Sequence, residues 1–324
     1  MRIAVVGAVC YDEIFPVEGP PRRGFGGILY NVAALSSVLN DDSAVVPCSK
    51  LGADRYDAAV AEFAKLPRVD MVGLTRVPDP FIHVTLEWRT QSWRDETVRN
   101  RMPPFNAAEL EPALTCDALH INFIHGTEID LPTLRAFRKR FKGLISLDVH
   151  NIISQWSDAG KRTIVGFRQW RDWAPFVDTV QCNEFEVDAL FDHDVKTRED
   201  MAAAAAAICR AGPRAATVTL GPEGAVMVHR RGSEHFLVDI GVLPPVKAVD
   251  ATGCGDSFSA GFVIGMLTHD DPATALACAS VVAGVNARYT GLGMLAEARE
   301  YLERPRSHFA VFDGKPEDWP GEPV

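Results

Sequence analysis

The sequence lacks the features that mark several large classes of protein. With 324 residues and a formal net charge of −10, it has no basic excess, so nucleic acid is not an expected partner. No apolar run approaches the ~18 residues of a membrane span, and the N-terminal segment turns polar too quickly for a signal peptide. We therefore expect a cytoplasmic protein with no membrane and no nucleic acid among its partners.

Cysteine is scarce and scattered. The chain has 7 cysteines, an odd number, and no C-x-x-C motif, which argues against a disulfide framework and against a zinc site. Histidine offers no better metal site, because the spacing of His120 and His125 suits neither one face of a strand nor one turn of a helix. We expect free thiols in a reducing compartment.

Two common nucleotide-binding motifs are also missing. A dinucleotide-binding dehydrogenase needs G-x-G-x-x-G directly after the first strand, where this chain reads GAVCYD at 7–12. The P-loop motif G-x-x-x-x-G-K-[ST] does not occur in the sequence. Dehydrogenases and P-loop kinases are therefore both disfavoured.

What the sequence does contain is the composition and rhythm of an α/β protein. Hydrophobic residues make up 47% and charged residues 23%, close to the values of ordinary globular domains. Short apolar segments, typical of buried strands, alternate with segments of helical periodicity. The strand-like segments are 3–9, 45–47, 119–123, 143–147, 177–181 and 216–220. The helical segments are 27–39, 55–66, 131–141, 166–173, 183–191, 198–210, 254–267, 272–288 and 294–302.

This alternation predicts a three-layer, doubly wound α/β fold with a mainly parallel sheet, as one domain over 1–324. Ligands bind such sheets at the carboxyl ends of their strands. Two stretches, about 11–25 and 80–102, break the rhythm, and the second alternates like a β-strand. We expect them to pair into a small β lid over the site, and a solvated hairpin is the structural alternative. The Pro-rich, charged tail from Arg304 onward is expected to lie loosely on the surface.

The most informative segment is DATGCGDSF at 250–258. Gly253 and Gly255 leave backbone N–H groups bare, so that an anion can approach them closely. A helical apolar pattern begins immediately afterwards, and a helix N-terminus adds unpaired donors and partial positive charge. The segment therefore predicts a phosphate pocket built from the backbone of Gly253, Cys254 and Gly255, with Asp256 at the helix start.

This segment resembles the second signature, D-T-x-G-A-G-D-x-F, of the ribokinase-like (PfkB-type) kinase family, and the resemblance extends over roughly residues 2–300. Ala251 and Cys254 depart from the usual Thr and Ala, but both are small. The resemblance implies an ATP-dependent phosphotransferase with Asp256 as general base and the Gly253–Gly255 backbone as anion hole. The helix dipole is expected to keep Asp256 ionised. Positioning matters more than basicity here, because the transition state of phosphoryl transfer is loose.

Two N-terminal motifs concern the substrate. The segment GGILYNVA at 26–33 resembles the family's first signature, G-G-x-x-x-N-x-A. This implies that Gly26, Gly27 and Asn31 bind substrate, the amide of Asn31 offering a donor and an acceptor to a hydroxyl. Asp12 stands where the family has an aspartate that accepts hydrogen bonds from substrate hydroxyls. A turn-forming role for Asp12 is the structural alternative.

Two further motifs concern the phosphate donor. Asn183 and Glu186 resemble the family's N-x-x-E element, which implies that they organise Mg²⁺, Glu186 acting through water. Thr219, Gly221 and Gly224 resemble its T-x-G-x-x-G nucleotide loop, and the alternative for this segment is a plain hairpin turn.

A monovalent cation is a further expectation from the resemblance. Asp250 and Thr252 match the part of the family's cation site that lies in the signature. Potassium is the candidate ion, and the sequence leaves open whether this chain requires it.

The substrate side matches the family least. In place of D-x-N-x-R the chain reads DVHNI at 148–152, so that His150 replaces Asn and Ile152 replaces Arg. The lid also contains aromatic and arginine residues, such as Trp88 and Arg94, that belong to none of the family's motifs. A small sugar-type polyol is the leading acceptor, and a nucleoside is the alternative among kinases. A ligand-binding relative without catalysis is the alternative of another class. A homodimer through the lid is also expected from the family.

Overall fold

The computed structural model describes residues 1–90, 94–191, 195–242, 248–291, 294–309 and 311–318. In chain order, the strands are β1 (Arg2–Val6), β2 (Val9–Phe15), β3 (Arg22–Gly27), β4 (Ala44–Gly52), β5 (Leu74–Val77), β6 (His83–Trp88), β7 (Arg94–Arg99), β8 (Ala118–Asn122), β9 (Leu144–Asp148), β10 (Ser154–Trp156), β11 (Arg162–Ile164), β12 (Thr179–Asn183), β13 (Ala215–Thr219), β14 (Ala225–Arg231), β15 (Glu234–Ile240) and β16 (Val311–Gly314).

The α-helices lie between these strands. They are α1 (Leu29–Val38), α2 (Tyr56–Ala64), α3 (Leu131–Arg140), α4 (Trp170–Trp173), α5 (Glu184–Phe191), α6 (Arg198–Ala211), α7 (Cys254–His269), α8 (Pro272–Ala287) and α9 (Arg299–Leu302).

In the described part of the chain, ten strands form the main sheet, in the order β16-β15-β14-β13-β12-β9-β8-β1-β4-β5. The strands from β13 to β5 in that order pair in parallel, whereas β14, β15 and β16 extend the sheet in antiparallel fashion. The inner parallel strands β1, β8, β9 and β12 are almost fully buried, as expected for a sheet covered on both faces.

Helices cover both faces of this sheet and form a separate core on each. On one face, apolar residues of α1, α7 and α8 pack together, among them Leu35, Phe262 and Val281. On the other face, α3 and α6 contribute Phe137 and Ile208 to a second core. The predicted three-layer, mainly parallel α/β fold is confirmed.

A second sheet of four strands, in the order β3-β2-β6-β7, stands beside the main one. It pairs β2 with β6 in parallel, from Tyr11 opposite His83 to Phe15 opposite Glu87, and closes the two hairpins on either side. The two stretches that break the α/β rhythm therefore do pair with each other, as predicted.

Two predictions of local structure were wrong. The helix expected at 166–173 is confined to α4 and a following 3₁₀ turn at 174–176, because Pro175 and a glycine at 166 with φ of 80° limit a longer helix. In its described residues, 304–309 and 311–318, the tail from Arg304 is not a loose surface segment. Its strand β16 pairs with β15, and Pro305 is buried.

Among the described residues, no helix combines the length and the apolar character that crossing a membrane requires.

Candidate active site

The chemistry-bearing residues gather at the carboxyl edge of the main sheet. Asn122, Asp148 and Asn183 are the last residues of β8, β9 and β12, and Thr219 ends β13. Because these strands run parallel, their ends meet at one edge. A polar cavity of about 340 Å³ opens there, and residues of β2, β6 and β7 in the small sheet line its other side.

The glycine loop lies in this cavity, and its backbone conformation depends on glycine. Gly253 precedes α7 with φ of 77°, and a Cβ there would collide with the ring of Tyr30. Gly255 has open space around its Cα and lines the cavity. The N–H of Cys254 donates to the carbonyl of Ala251 at 3.1 Å. Of the three predicted donors, Gly253 and Gly255 have N–H groups that donate to no acceptor among the described residues.

Cys254 fills space at the start of α7. Its Sγ lies 3.3 Å from Nδ2 of Asn286, and burial raises the pKa of the thiol. A thiol with a raised pKa is a poor nucleophile, which agrees with the prediction that a small side chain is needed here.

Asp256 lies in the first turn of α7 and lines the cavity. Its Oδ1 accepts a hydrogen bond from Nδ2 of Asn122 at 2.7 Å. Burial raises the pKa of Asp256 to about 7, and the hydrogen bond from Asn122 opposes that rise. The expected effect of the helix dipole is therefore outweighed by desolvation in this structure, and Asp256 is poised between its two protonation states at neutral pH.

Asn31, which was predicted to bind substrate, is not among the residues that line the cavity. Its side chain is fully buried. Nδ2 donates to the backbone carbonyl of Asp256 at 3.2 Å, and Oδ1 accepts from Nδ2 of Asn122 at 3.0 Å. Both hydrogen-bonding groups are thus used within the protein, where Asn31 supports the loop of Asp256.

Asp12 lies in β2 and points into the cavity. A Cβ at position 26 would overlap its carboxylate, and one at position 27 would overlap the carbonyl of Ala8. Gly26 and Gly27 therefore allow this carboxylate and the backbone to come close together, which is a physical reason for both glycines. Burial raises the pKa of Asp12 to about 6.

A buried acidic group lies on the opposite side of the cavity. Glu186 accepts hydrogen bonds from the backbone N–H of Asn183 at 3.0 Å and from its Nδ2 at 2.8 Å. Burial raises the pKa of Glu186 to about 7, and it raises the pKa of Asp148 well above its ordinary value. Two carboxylates kept from solvent in one cavity are a fitting environment for a divalent cation, because a cation would compensate their charge.

The predicted site of a monovalent cation fits less well. Oδ1 of Asp250 accepts from the N–H of Thr252 at 2.9 Å, and its Oδ2 lies 3.3 Å from Nη1 of Arg22. The carbonyl of Thr252 accepts from Asn286 at 2.9 Å. Because Asp250 already faces a guanidinium, these groups give no support for potassium.

A second cavity, of about 390 Å³ and largely apolar, adjoins the first. The two share Thr219, Ala251 and Gly255 as lining residues. Gly221 and Gly224 also line the second cavity, and both have positive φ, of 54° and 93°. The segment 219–224 is therefore both the hairpin turn between β13 and β14 and a wall of this cavity. Phe258, Ala283 and Ala287 line the cavity from α7 and α8.

Sequence reasoning did not single out Asn122 and Glu96, and it named His150 and Arg94 without assigning them a role in the site. Asn122 and His150 form the polar floor beside Asp256, whereas Arg94 and Glu96 reach the cavity from β7. Nη1 of Arg162 also lies 3.2 Å from Oε2 of Glu96. A polar residue at the end of an otherwise apolar strand, as at Asn122, was the available signal for the first of them.

Comparison with known proteins agrees with this architecture. The family described as "pfkB family carbohydrate kinase" matches residues 2–299. A comparison with curated protein sequences gave no match.

Solved structures of kinases share the fold. The ribokinase of Arabidopsis thaliana, complexed with ribose and ATP, has a TM-score of 0.74 and 18% identity, over 94% of this chain and 98% of that one. The ribokinase of Thermotoga maritima has a TM-score of 0.70 and 21% identity, over 94% and 99%. A pyrophosphate-dependent kinase complexed with a pyrophosphate analog and myo-inositol has a TM-score of 0.75 and 17% identity, over 93% and 99%.

Proposed function

The chain belongs to the pfkB family of carbohydrate kinases, and on that premise we propose that it transfers the γ-phosphoryl group of ATP to a hydroxyl of a small sugar-type polyol. Asp256 is the general base, and the N–H groups of Gly253 and Gly255 form the anion hole. The observation that carries this proposal is the position of Asp256 beside two unengaged backbone donors, where a polar and an apolar cavity meet.

The proposed chemistry follows from this position. The acceptor hydroxyl lies against Asp256, its oxygen attacks the γ-phosphorus, and its proton passes to the carboxylate. The bond from the γ-phosphorus to the β,γ-bridging oxygen breaks, and ADP leaves with that oxygen. Negative charge spreads over the oxygens of the phosphoryl group in the transition state, and the N–H groups of Gly253 and Gly255 stabilise it there. The pKa of Asp256, about 7, suits a group that must accept a proton near neutral pH.

The apolar cavity supports a nucleotide as donor. Purine rings prefer concave apolar sites with few polar groups, and pyrophosphate alone has no apolar part to place there. The walls from Phe258, Ala283 and Ala287 are of this apolar kind. Pyrophosphate is the second candidate donor, because a solved structure with the same fold is that of a pyrophosphate-dependent kinase.

Magnesium is the proposed metal. Glu186, oriented by Asn183, and the nearby Asp148 would hold it, mostly through water. When bound, the ion neutralises phosphate charge. The protein's own part is to keep these carboxylates buried and fixed, which Asn183 does with two hydrogen bonds to Glu186.

The polar cavity favours a polyol as acceptor. Asp12, Glu96 and Asp256 all present carboxylates to it, so the ligand has to supply hydrogen-bond donors, and a polyol supplies several. Arg94 adds a donor from the small sheet. A nucleoside could donate the same kind of hydrogen bonds through the hydroxyls of its ribose. It is therefore the alternative acceptor, and the assay below distinguishes the two.

The test is a phosphotransfer assay with purified protein, Mg²⁺, and either ATP or pyrophosphate. The acceptors are pentoses, hexoses, cyclitols and nucleosides, and ³¹P NMR detects the phosphate ester. We expect acceptor-dependent formation of ADP and of a sugar or cyclitol phosphate. Acceptor-dependent turnover only with pyrophosphate would overturn the donor assignment, and phosphorylation of nucleosides alone would overturn the acceptor class. No acceptor-dependent turnover with either donor would leave a ligand-binding protein instead of an enzyme.

A further inference from the structure

A chain of hydrogen bonds beneath Asp256 fixes the protonation of a histidine in the cavity. The chain begins at the backbone carbonyl of Asp256, which can only accept a hydrogen bond. The group of Asn31 facing it at 3.2 Å must therefore be Nδ2, the donor. That assignment makes the other end of the Asn31 amide Oδ1, an acceptor.

The same reasoning passes from Asn31 to Asn122 and then to His150. Oδ1 of Asn31 faces the Asn122 amide at 3.0 Å, so the Asn122 atom there is Nδ2, which also donates to the Asp256 carboxylate at 2.7 Å. Oδ1 of Asn122 is then the atom that lies 2.9 Å from Nδ1 of His150. Because an amide oxygen can only accept a hydrogen bond, Nδ1 of His150 must be the donor and must carry a proton.

The other ring nitrogen of His150 is consequently the one without a proton. In the neutral form of the ring, the form that predominates above the ordinary histidine pKa of ~6.5, the proton on Nδ1 is the ring's one N–H proton. His150 lines the polar cavity and is partly exposed to it. Its Nε2 makes no hydrogen bond with the described residues, and it is not among the fully buried polar atoms that lack a partner. The free lone pair therefore faces the cavity.

The backbone of His150 holds the ring in this place. His150 has φ of 38°, a conformation that non-glycine residues adopt rarely. Its backbone N–H is turned toward the carboxylates of Asp148 and Glu186, where it lowers the pKa of each. Strain of this kind persists only where the surroundings enforce it, and it is concentrated at functional sites.

We propose that His150 is a specificity-determining residue, whose Nε2 accepts a hydrogen bond from a second hydroxyl of the acceptor, close to the hydroxyl that faces Asp256. One amide, that of Asn122, separates the imidazole from the catalytic carboxylate. The imidazole of His150 and the carboxylate of Asp256 can therefore contact neighbouring hydroxyls of one acceptor molecule. A carbonyl or ether oxygen cannot donate to Nε2, so acceptors with such a group at that position are rejected.

The inference rests on the proposed function, and two variants test it. His150→Asn keeps a donor for Oδ1 of Asn122 but removes the acceptor in the cavity, and Asn tolerates positive φ well. His150→Gln is the matched control, because its longer amide can still present an oxygen to the cavity while it loses the contact with Asn122.

The assay uses the best acceptor from the sugar and cyclitol panel together with its monodeoxy and monodeoxyfluoro analogues. For the wild type, we expect one hydroxyl of the acceptor, other than the hydroxyl that is phosphorylated, to matter for turnover. Replacing it with hydrogen or with fluorine should lower kcat/KM by ~10-fold or more, because neither substituent can donate a hydrogen bond. In His150→Asn, kcat/KM for the parent acceptor should fall by a similar factor relative to the wild type. The deoxy and fluoro analogues should then show no further loss of kcat/KM relative to the parent acceptor. His150→Gln should retain part of the discrimination and lower kcat.

Three outcomes would overturn the inference. The first is that His150→Asn discriminates against the same analogue as strongly as the wild type, and the second is that no second hydroxyl matters to the wild type. The third is independent of turnover: ¹⁵N NMR of histidine-labelled protein, with the His150 signals assigned through His150→Asn, shows a proton on Nε2. We expect the proton on Nδ1. If no acceptor is turned over at all, the proposed function fails and the inference fails with it, whereas turnover together with a proton on Nε2 would overturn the inference alone.

Discussion

Asn122 and Asp256, 134 residues apart in the chain, are joined by a hydrogen bond of 2.7 Å between the amide Nδ2 and the carboxylate Oδ1. The bond connects the end of β8 to the first turn of α7. Asn122 turns its Nδ2 toward Asp256, because the same nitrogen also donates to Oδ1 of Asn31. The proposed base is thus held by a donor whose orientation is fixed from the far side.

The first prediction concerns Asp256→Asn. The amide has nearly the same shape and can accept from Asn122, but it cannot take the proton of the acceptor hydroxyl. We expect kcat to fall by ~10²-fold or more, while binding of ATP, measured by calorimetry, stays close to the wild-type value. Wild-type turnover by this variant would remove Asp256 from the mechanism, and equal loss of turnover and ATP binding would indicate misfolding.

The same variant predicts a pH dependence of stability. The pKa of Asp256 is about 7 in the folded protein and ~3.9 in an unfolded chain. The native state therefore keeps the proton to higher pH, and the contribution of Asp256 to the free energy of unfolding decreases as pH rises between these two values. Relative to the wild type without Mg²⁺, Asp256→Asn should be more stable at pH 8, with the difference shrinking toward pH 5. Thermal unfolding at both pH values checks this, and a difference independent of pH would contradict the high pKa.

Asn122→Ala tests the donor to the base. Removing a hydrogen bond from the charged form disfavours that form, so the pKa of Asp256 should rise further. The base is then protonated at neutral pH, so kcat/KM is low there. The increase of kcat/KM with pH should occur at higher pH than in the wild type, and part of the activity should be regained at that pH. A pH–rate profile of wild type and variant measures the shift. An unchanged midpoint with a uniformly lower rate would show that Asn122 acts through packing alone.

The sequence was most informative where the chemistry is local. The loop with Gly253, Gly255 and Asp256 is contiguous, and its backbone donors follow from its glycines and from the helix that begins there. The alternating strands and helices also gave the layers and the parallel part of the sheet. Strand β16 was missed because its stability comes from pairing with β15, some 70 residues away, and not from its own composition.

The polar floor of the site could not be read from one segment. Asn31, Asn122 and His150 come from α1, the end of β8 and the residues after β9, and their partners become apparent only in three dimensions. Asn31 is an example: its motif predicts contact with substrate, and only the fold shows that its amide donates to the carbonyl of Asp256. The lid residues Arg94 and Glu96 were equally hard to rank, since β alternation gives the face of a residue but not which cavity it reaches.

The two loop glycines should respond differently to alanine. Gly253→Ala places a methyl group against the ring of Tyr30 at φ of 77°, so it should lower the melting temperature as well as turnover. Gly255→Ala meets open space and should fold like the wild type, yet its methyl group occupies the cavity where the phosphoryl group is proposed to lie. We expect a ~10-fold or larger loss of kcat for Gly255→Ala at an unchanged melting temperature. Similar melting curves and rates for both variants would argue against this assignment of the loop.

The apolar cavity should decide the choice of donor. Ala283 lies on α8 and lines that cavity but not the polar one, so Ala283→Leu fills space proposed for the purine while keeping a good helix former. The KM for ATP should rise by ~10-fold or more, because a bulky side chain and the base cannot share the cavity. The affinity for the acceptor, measured by calorimetry in the absence of donor, should not change, since Asp12, His150 and Asp256 are untouched. An unaltered KM for ATP would place the base elsewhere and would leave the apolar cavity without a role in catalysis.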